Sequence, residues 1–197
     1  VGKYIVGVSG ASGIVLAQKT IEALANLGHQ VLLVMSQDAC LTALEELGKA
    51  FSSPAKFKDT FPPEIADKIT TYHIQDFTAP ISSGSYYADG MVIVPCSMAT
   101  LAALSIGLSD NLLRRAADVC LKEKRLLSIV PRETPVNTIH LENMLKLGKM
   151  GANIVLPIPG WYTKHQTLDE AENFIVGRIL DSLKVENSLY TRWGSGR

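Results

Sequence analysis

Hydroxyls, glycines and cations recur in this sequence where apolar runs end, and that placement suits the binding of a phosphorylated small molecule. The string Gly7-Val8-Ser9-Gly10-Ala11-Ser12-Gly13 closes the apolar run Tyr4 to Val8. Glycines there let the backbone turn sharply into a helix, whose first amides can face an anion or a polar ring edge. The spacing is GxxGxxG, not the GxGxxG of dinucleotide-binding enzymes, and the second apolar run ends in Ser36, with Asp38 close behind. A tight turn with no ligand would use the same glycines. Ser36, Ser97 and Thr100 stand at or just past the ends of two apolar runs. Each alone reads as a helix cap, Ser97 most plainly. As three features converging on one sheet edge they favour a mononucleotide, with hydroxyls for a phosphate or a ribityl chain.

The cations add to this. Arg114 and Arg115 fall on a predicted helix, with Lys122 two turns beyond Arg115 and on roughly the same face; Arg178 falls on the last predicted helix. A helical cation is more often part of a solvated face than of a site. Arg132 differs, because Pro131-Arg132-Glu133-Thr134-Pro135 is a loop stiffened by two prolines at the end of another apolar run. Its forked guanidinium suits phosphate. Glu133 beside it is either a general acid/base or the ion-pair partner of Arg132. Trp161 and Tyr162, after Leu156-Pro157-Ile158-Pro159-Gly160, fit core, flap or a wall against a planar ligand. Trp193 lies beyond the last helix, where a tryptophan docks on its own domain or on a neighbouring subunit.

Composition narrows the class of molecule. Of 197 residues, 47% are hydrophobic and 19% charged, which supports one packed domain over residues 1–197. Lys plus Arg number 19 and Asp plus Glu number 19, so there is no basic excess to suggest a nucleic-acid partner. Near-zero net charge leaves self-association unopposed. Cys40, Cys96 and Cys120 form no CxxC pair or disulfide framework, so a reducing cytoplasm is the expected compartment. The four histidines show no zinc-ligand spacing, and no metal is expected. No basic n-region or cleavage site opens the chain, so no signal peptide is expected. The stretch from Met91 to Leu108 carries no charge over a length that nearly spans a bilayer, but Pro95-Cys96-Ser97 interrupts it. It reads as a buried strand, a turn and a buried helix, not as a membrane segment.

The elements that must hold these residues alternate. Strands are predicted at Tyr4–Val8, Val31–Met35, Met91–Val94, Leu126–Val130 and Asn153–Leu156. Helices are predicted at Ile14–Leu27, Ala39–Leu47, after Ser97, at Leu112–Lys124, Leu141–Lys149 and Leu168–Leu183, with Phe51–Pro63 as a loop or excursion. This alternation gives a three-layer α/β/α fold around a parallel, doubly wound sheet, with ligands expected at the strands' C-terminal ends.

Taken together the motifs resemble one family. Gly10-Ala11-Ser12-Gly13, Pro95-Cys96-Ser97-Met98 with Thr100, and Asp110-Asn111-Leu112-Leu113-x-Arg115-Ala116-Ala117-Asp118 are similar to the UbiX-type flavin prenyltransferases. So are Val130-Pro131-Arg132-Glu133-x-Pro135, Ile139-His140-Leu141-Glu142-Asn143-Met144, Pro159-Gly160-Trp161-Tyr162 and Arg192-Trp193-Gly194, in order along nearly the whole chain. The resemblance implies a flavodoxin-like (Rossmann) fold, trimers within a homododecamer, and active sites where subunits meet. It implies transfer of a dimethylallyl group from dimethylallyl monophosphate to N5 and then C6 of reduced FMN, without metal. The prenylated FMN product would serve a UbiD-type decarboxylase. By motif, FMN would be held by Gly10, Ala11, Ser12, Ser36, Cys96, Ser97, Met98, Ala99, Arg115 and Arg132. Lys122, Arg132, Tyr162 and Arg178 would hold the prenyl phosphate, some from a neighbouring subunit. Ser12, Glu46 and Glu133 would handle protons, and Trp193 would offer a π-face to the allyl cation. The sequence departs from many relatives at Gln37, where they carry lysine, and from some at Phe77, where they carry tryptophan.

Two other functions share parts of this pattern. A flavin-dependent decarboxylase acting directly on an aromatic acid or a peptidyl cysteine would use the same fold and FMN site; its early histidine would have to be His29, in a turn. A non-catalytic flavin carrier would have no use for a second phosphate site.

Overall fold

Apolar runs without polar alternation are what strands buried on both faces require, and the sequence supplies such runs at regular intervals. The computed structural model describes residues 1–48 and 53–194. Within them, six strands form one parallel sheet: β1 (Lys3–Val8), β2 (Gln30–Met35), β3 (Ile69–Tyr72), β4 (Gly90–Cys96), β5 (Leu126–Pro131) and β6 (Asn153–Ile154). Their spatial order is β3-β2-β1-β4-β5-β6. Val6 sits level with Leu33 on one side and Val92 on the other. The winding direction reverses between β1 and β4, which opens a crevice at the C-terminal ends of those two strands.

The helices are α1 (Ile14–Asn26), α2 (Gln37–Leu47), α3 (Pro54–Lys58), α4 (Pro63–Ala66), α5 (Met98–Ser105), α6 (Leu112–Lys122), α7 (Thr138–Lys149) and α8 (Leu168–Ser182). Successive strand residues point to opposite faces, and the core divides accordingly. Val6 and Val8 of β1 pack with α1 and α8, through Ile21, Leu24, Val176 and Ile179. Ile5 of the same strand packs with α5 and α6, through Leu101, Leu113 and Ala117. This is the expected three-layer α/β/α arrangement. Lys19 of α1 ties the first layer together, pairing with Asp169 at 2.5 Å and Glu172 at 3.0 Å on α8. Among the described residues no helix is long and apolar enough to cross a membrane. The uncharged stretch from Met91 is the buried strand β4 running into α5, as read from the sequence.

Several boundaries differ from the expectation. Strand β3 was not anticipated: its sequence, Ile-Thr-Thr-Tyr, lies at the sheet edge with only Ile69 buried, so no apolar run marks it. The predicted loop Phe51–Pro63 contains α3, which is capped by Ser53, started by Pro54 and pinned by the fully buried Phe57. Phe51 and Ser52 lie outside the described residues. Pro95 and Cys96 belong to β4 and not to the turn after it; the register shifts between Ile93 and Cys96, where a proline without an N–H is tolerated. Helix α7 begins three residues early at Thr138, because Asn137 and His140 form a reciprocal cap.

Candidate active site

The crevice between β1 and β4 is built by three helix starts. Ser36 caps α2, its Oγ accepting from Ala39 N at 3.1 Å. Ser97 caps α5, accepting from Thr100 N at 3.2 Å and donating to Thr100 Oγ1 at 3.1 Å. Asn111 caps α6, its Oδ1 accepting from Arg114 N at 3.0 Å. All three caps border one cavity of about 200 Å³, together with Gly10, Thr100 and Arg114. Each cap satisfies an amide in its helix's first turn and leaves others without a helical partner, so the cavity is lined with amide donors and carries the positive ends of three helix dipoles.

Ser9 holds this arrangement and the sequence reading passed over it. It is buried, donates to Pro95 O at 3.3 Å and accepts from Ser97 N at 2.8 Å, stapling the loop after β1 to the start of α5. Gly10 is needed because a Cβ there would overlap the Cβ of Asp38 at the first turn of α2. Ala11 is buried and Ser12 exposed, and neither lines the cavity. Met98 is half-buried and Ala99 exposed on the first turn of α5. Cys96 is fully buried, and that burial pushes its thiol up to about 12, against smaller opposing effects from Ser9 and Arg114.

Arg132 follows β5 at the same sheet edge. Its amide donates to Cys96 O at 3.1 Å, and its Nε is buried with no hydrogen-bond partner. Glu133 turns onto its own loop, accepting from Thr134 N at 3.1 Å. Among the described residues no ion pair joins it to Arg132, so it is not simply that arginine's partner. Glu46 reaches from α2 to the loop after β1, where it accepts from Gly13 N and Ile14 N.

The other expected residues lie elsewhere on the chain. Arg115 donates to Ser82 O at 3.0 Å and to Asp118 at 2.8 Å; its neighbour Arg114 lines the cavity instead. Lys122 pairs with Glu123 at the end of α6, beside Gly84. Arg125, just before β5, holds Gly84 O and Tyr86 O, which places this cluster at the starts of the strands. The six residues of β5 separate it from Arg132 by roughly 20 Å.

Tyr162, Arg178 and Trp193 form a third group, around α8 and the tail behind it. The rings of Tyr162 and Trp193 meet edge-on, centroids 5.0 Å apart, and Tyr162 meets Phe174 of α8 in the same way. Trp193 is 73% exposed. Arg178 donates to Asp181 at 3.1 Å and to Tyr190 Oη at 3.3 Å. Asp181 also accepts from Tyr190 at 2.6 Å, from Asn187 at 3.0 Å and from Arg192 at 2.7 Å, so one carboxylate on α8 fastens the tail that carries Trp193. Burial pushes the Asp181 carboxyl up, but hydrogen bonds from Arg192, Tyr190 and Asn187, with the charge of Arg192, outweigh it and hold the group below the usual carboxylate range. Sequence reading missed this hub, since nothing local marks Asp181 in a helix with several other acids. Lys122 on α6 and Arg178 on α8 stand on opposite faces of the sheet, so one chain does not bring them together. Among the described residues no cluster of His, Cys, Asp and Glu could hold a metal ion.

A flavoprotein family model matches residues 2–180. The flavin prenyltransferase UbiX of Chlamydia trachomatis is 48% identical over 195 residues, covering 99% of each chain. The chain belongs to the UbiX flavin prenyltransferase family. A solved family structure, AnUbiX (PadA1) in complex with FMN and dimethylallyl pyrophosphate, superposes with a TM-score of 0.87 at 38% identity over 100% of this chain and 99% of its own. A dodecameric FMN-dependent UbiX-like decarboxylase from Escherichia coli O157:H7 gives 0.86 at 40% identity, over 98% and 100%.

The strand-end site fits the mononucleotide that the family name implies. The helix starts and Arg114 suit a phosphate, Asp38 and the hydroxyls suit a polyol, and the buried Nε of Arg114 and of Arg132 are donors still lacking an acceptor.

Proposed function

We propose that this protein is a flavin prenyltransferase that moves a dimethylallyl group from dimethylallyl monophosphate to N5 and C6 of reduced FMN. The observation that carries this reading is the convergence of three capped helix starts with Arg114 at the β1/β4 crevice, with Arg132 on the same edge, in a chain of the UbiX family. Reduced flavin, when bound, supplies the nucleophilic nitrogen and ring carbon. The chain's own groups do the rest. Gly10, Ala11 and Ser12 after β1, Ser36 at the start of α2, and Cys96, Ser97, Met98 and Ala99 where β4 passes into α5 are assigned to the flavin, with Arg132 at its edge.

Breaking the allylic C–O bond sends the bonding pair to the phosphate and leaves a delocalised carbocation. Fixed cations stabilise the growing charge on the leaving group, and preorganised charge of this kind is usually the largest catalytic contribution. Lys122, Arg132, Tyr162 and Arg178 are assigned to that phosphate, with Arg115 supporting the Ser82 loop near Lys122. The face of Trp193 stabilises the cation by roughly 0.5–2 kcal/mol. Glu133 and Tyr162 return a proton to the phosphate, while Ser12 and Glu46 serve the proton that leaves the flavin.

The site is shared between copies of the chain in this reading. Lys122 and Arg178 on opposite sheet faces support it, as do the exposed apolar side chains Ile139, Leu141, Leu145, Leu156 and Ile158. Trimers within a dodecamer are the proposed assembly, a UbiD-type decarboxylase the proposed recipient of prenylated FMN, and the cytoplasm, in keeping with three free buried thiols, the proposed compartment.

The test is anaerobic incubation with reduced FMN and either dimethylallyl monophosphate or the pyrophosphate, without metal, followed by a mass spectrum of the released flavin. A flavin heavier by one C5 unit, formed from the monophosphate and lost in Arg132→Ala or Glu133→Ala, is the expected result. Unmodified FMN with both donors would overturn the reading in favour of direct decarboxylation or flavin carriage.

A further inference from the structure

We propose that Arg114 binds the phosphate of FMN and gives this protein its preference for FMN over unphosphorylated riboflavin; the inference rests on the flavin site described above. Arg114 is the one cation among the described residues lining the cavity, where its neighbours Gln37 and Gln75 are neutral. Its backbone is fixed in the first turn of α6 by the Asn111 cap. Its side chain is only 18% exposed and its position is set from one side: Nη1 takes both oxygens of Asp110, at 2.7 and 3.0 Å.

That pairing leaves the other edge of the guanidinium. The Nε is buried and has no hydrogen-bond partner, a state that costs stability unless something completes it. An arginine edge matches two oxygens of a phosphate, and such charge-assisted bonds are about twice as strong as neutral ones. The remaining phosphate oxygens have donors nearby. The caps of α2 and α5 serve Ala39 N and Thr100 N, so the earlier amides of those helices are left without helical partners on the same cavity wall. Asp38, the acid in the lining, suits the ribityl hydroxyls and not the anion.

The adjacent residue provides a contrast. Arg115 is rotated about 100° around α6 and is consumed by Ser82 O and Asp118. Of two neighbouring arginines, the fold presents Arg114 to the cavity. A phosphate bound there would be read by a side chain that riboflavin, ending in a hydroxyl, cannot engage as an anion.

The experiment is equilibrium titration of the protein with FMN and with riboflavin, followed by flavin fluorescence, for wild type, Arg114→Gln and Arg114→Lys. The expected result is a roughly ten- to hundredfold weakening of FMN binding in Arg114→Gln, with riboflavin affinity unchanged. Unchanged riboflavin binding also shows that the variant is folded. Arg114→Lys keeps the charge but not the fork, and should fall between the two. Equal FMN affinity in wild type and Arg114→Gln, or an equal loss for both flavins, would overturn the role of Arg114 alone. Failure of the wild type to bind FMN would instead take down the flavin reading, and this inference with it.

Discussion

The carboxylate of Glu46 closes the open end of α1 from another helix, both of its oxygens accepting from Gly13 N at 3.0 Å. Its Oε2 also accepts from Ile14 N at 2.9 Å. Gly13, the N-cap, has no side chain to do this and sits at φ 102°, a conformation glycine adopts without strain. Glu46→Ala should therefore cost about 1 kcal/mol, the usual worth of an N-cap, read from the urea midpoint. Glu46→Gln retains one acceptor oxygen and should lose less. If Glu46 also serves the flavin proton, Glu46→Gln will lower turnover by far more than its stability loss explains.

Gly177 gives the C-terminal tail its seat. A Cβ there would overlap the ring edge of Tyr190, with Cε1 only 2.8 Å away. Gly177→Ala should displace Tyr190 and destabilise the fold by roughly 1–3 kcal/mol, as overpacking does. The tail can be followed directly, since Trp161 and Trp193 are the only tryptophans. In a Trp161→Phe background, Gly177→Ala should shift Trp193 emission to the red and speed tryptic cleavage after Arg192. An unchanged spectrum would mean that the tail does not depend on this seat.

Tail docking should also respond to acid. Asp181 is held below its ordinary range in the folded chain, and its unfolded value is about 3.9. Its contribution is thus complete above that pH and lost as pH falls through the lower folded value. Trp193 emission should stay constant down to about pH 4 and then move toward that of the free tail. Asp181→Asn should show the detached spectrum at neutral pH, with no acid transition of its own.

Subunit mixing tests the placement of Lys122 and Arg178. Each alanine variant alone should lose prenyl transfer. If the two cations reach one phosphate from different chains, co-expression of Lys122→Ala with Arg178→Ala should restore about a quarter of the sites, as random assembly of symmetric oligomers requires. No recovery would mean that both residues act from the same chain.

Much of this molecule is legible in its sequence because a doubly wound fold buries its strands on both faces. β1, β2, β4 and β5 appear as apolar runs, broken internally only by Ser128 in β5; Gly10, Ser36 and Ser97, just past the ends of the first three, line the cavity, and Arg132 follows the fourth. What escaped lacks such a signature. β3 is an edge strand whose threonines face partly outward, and α3 is hidden among prolines. Arg114 and Arg115 are adjacent letters separated by a helical rotation, so only three dimensions show which one faces the cavity. Ser9 and Asp181 act through residues 86 and 9 to 11 positions away, beyond any local pattern. Lys122 and Arg178 are readable as cations, but the sheet between them is visible only in the fold.

Cys96 has a further consequence for an enzyme of this chemistry. Loosening an allylic carbon from its phosphate creates an alkylating agent, and thiolates are among the best traps for one. Cys96 ends β4, one residue before the cavity-lining Ser97, yet burial pushes its thiol up to about 12, as it does that of Cys120, and it raises that of Cys40. At neutral pH these sulfurs stay protonated and out of reach. The same packing that builds the sheet protects the enzyme from alkylating itself, leaving the flavin as the nucleophile the prenyl group meets.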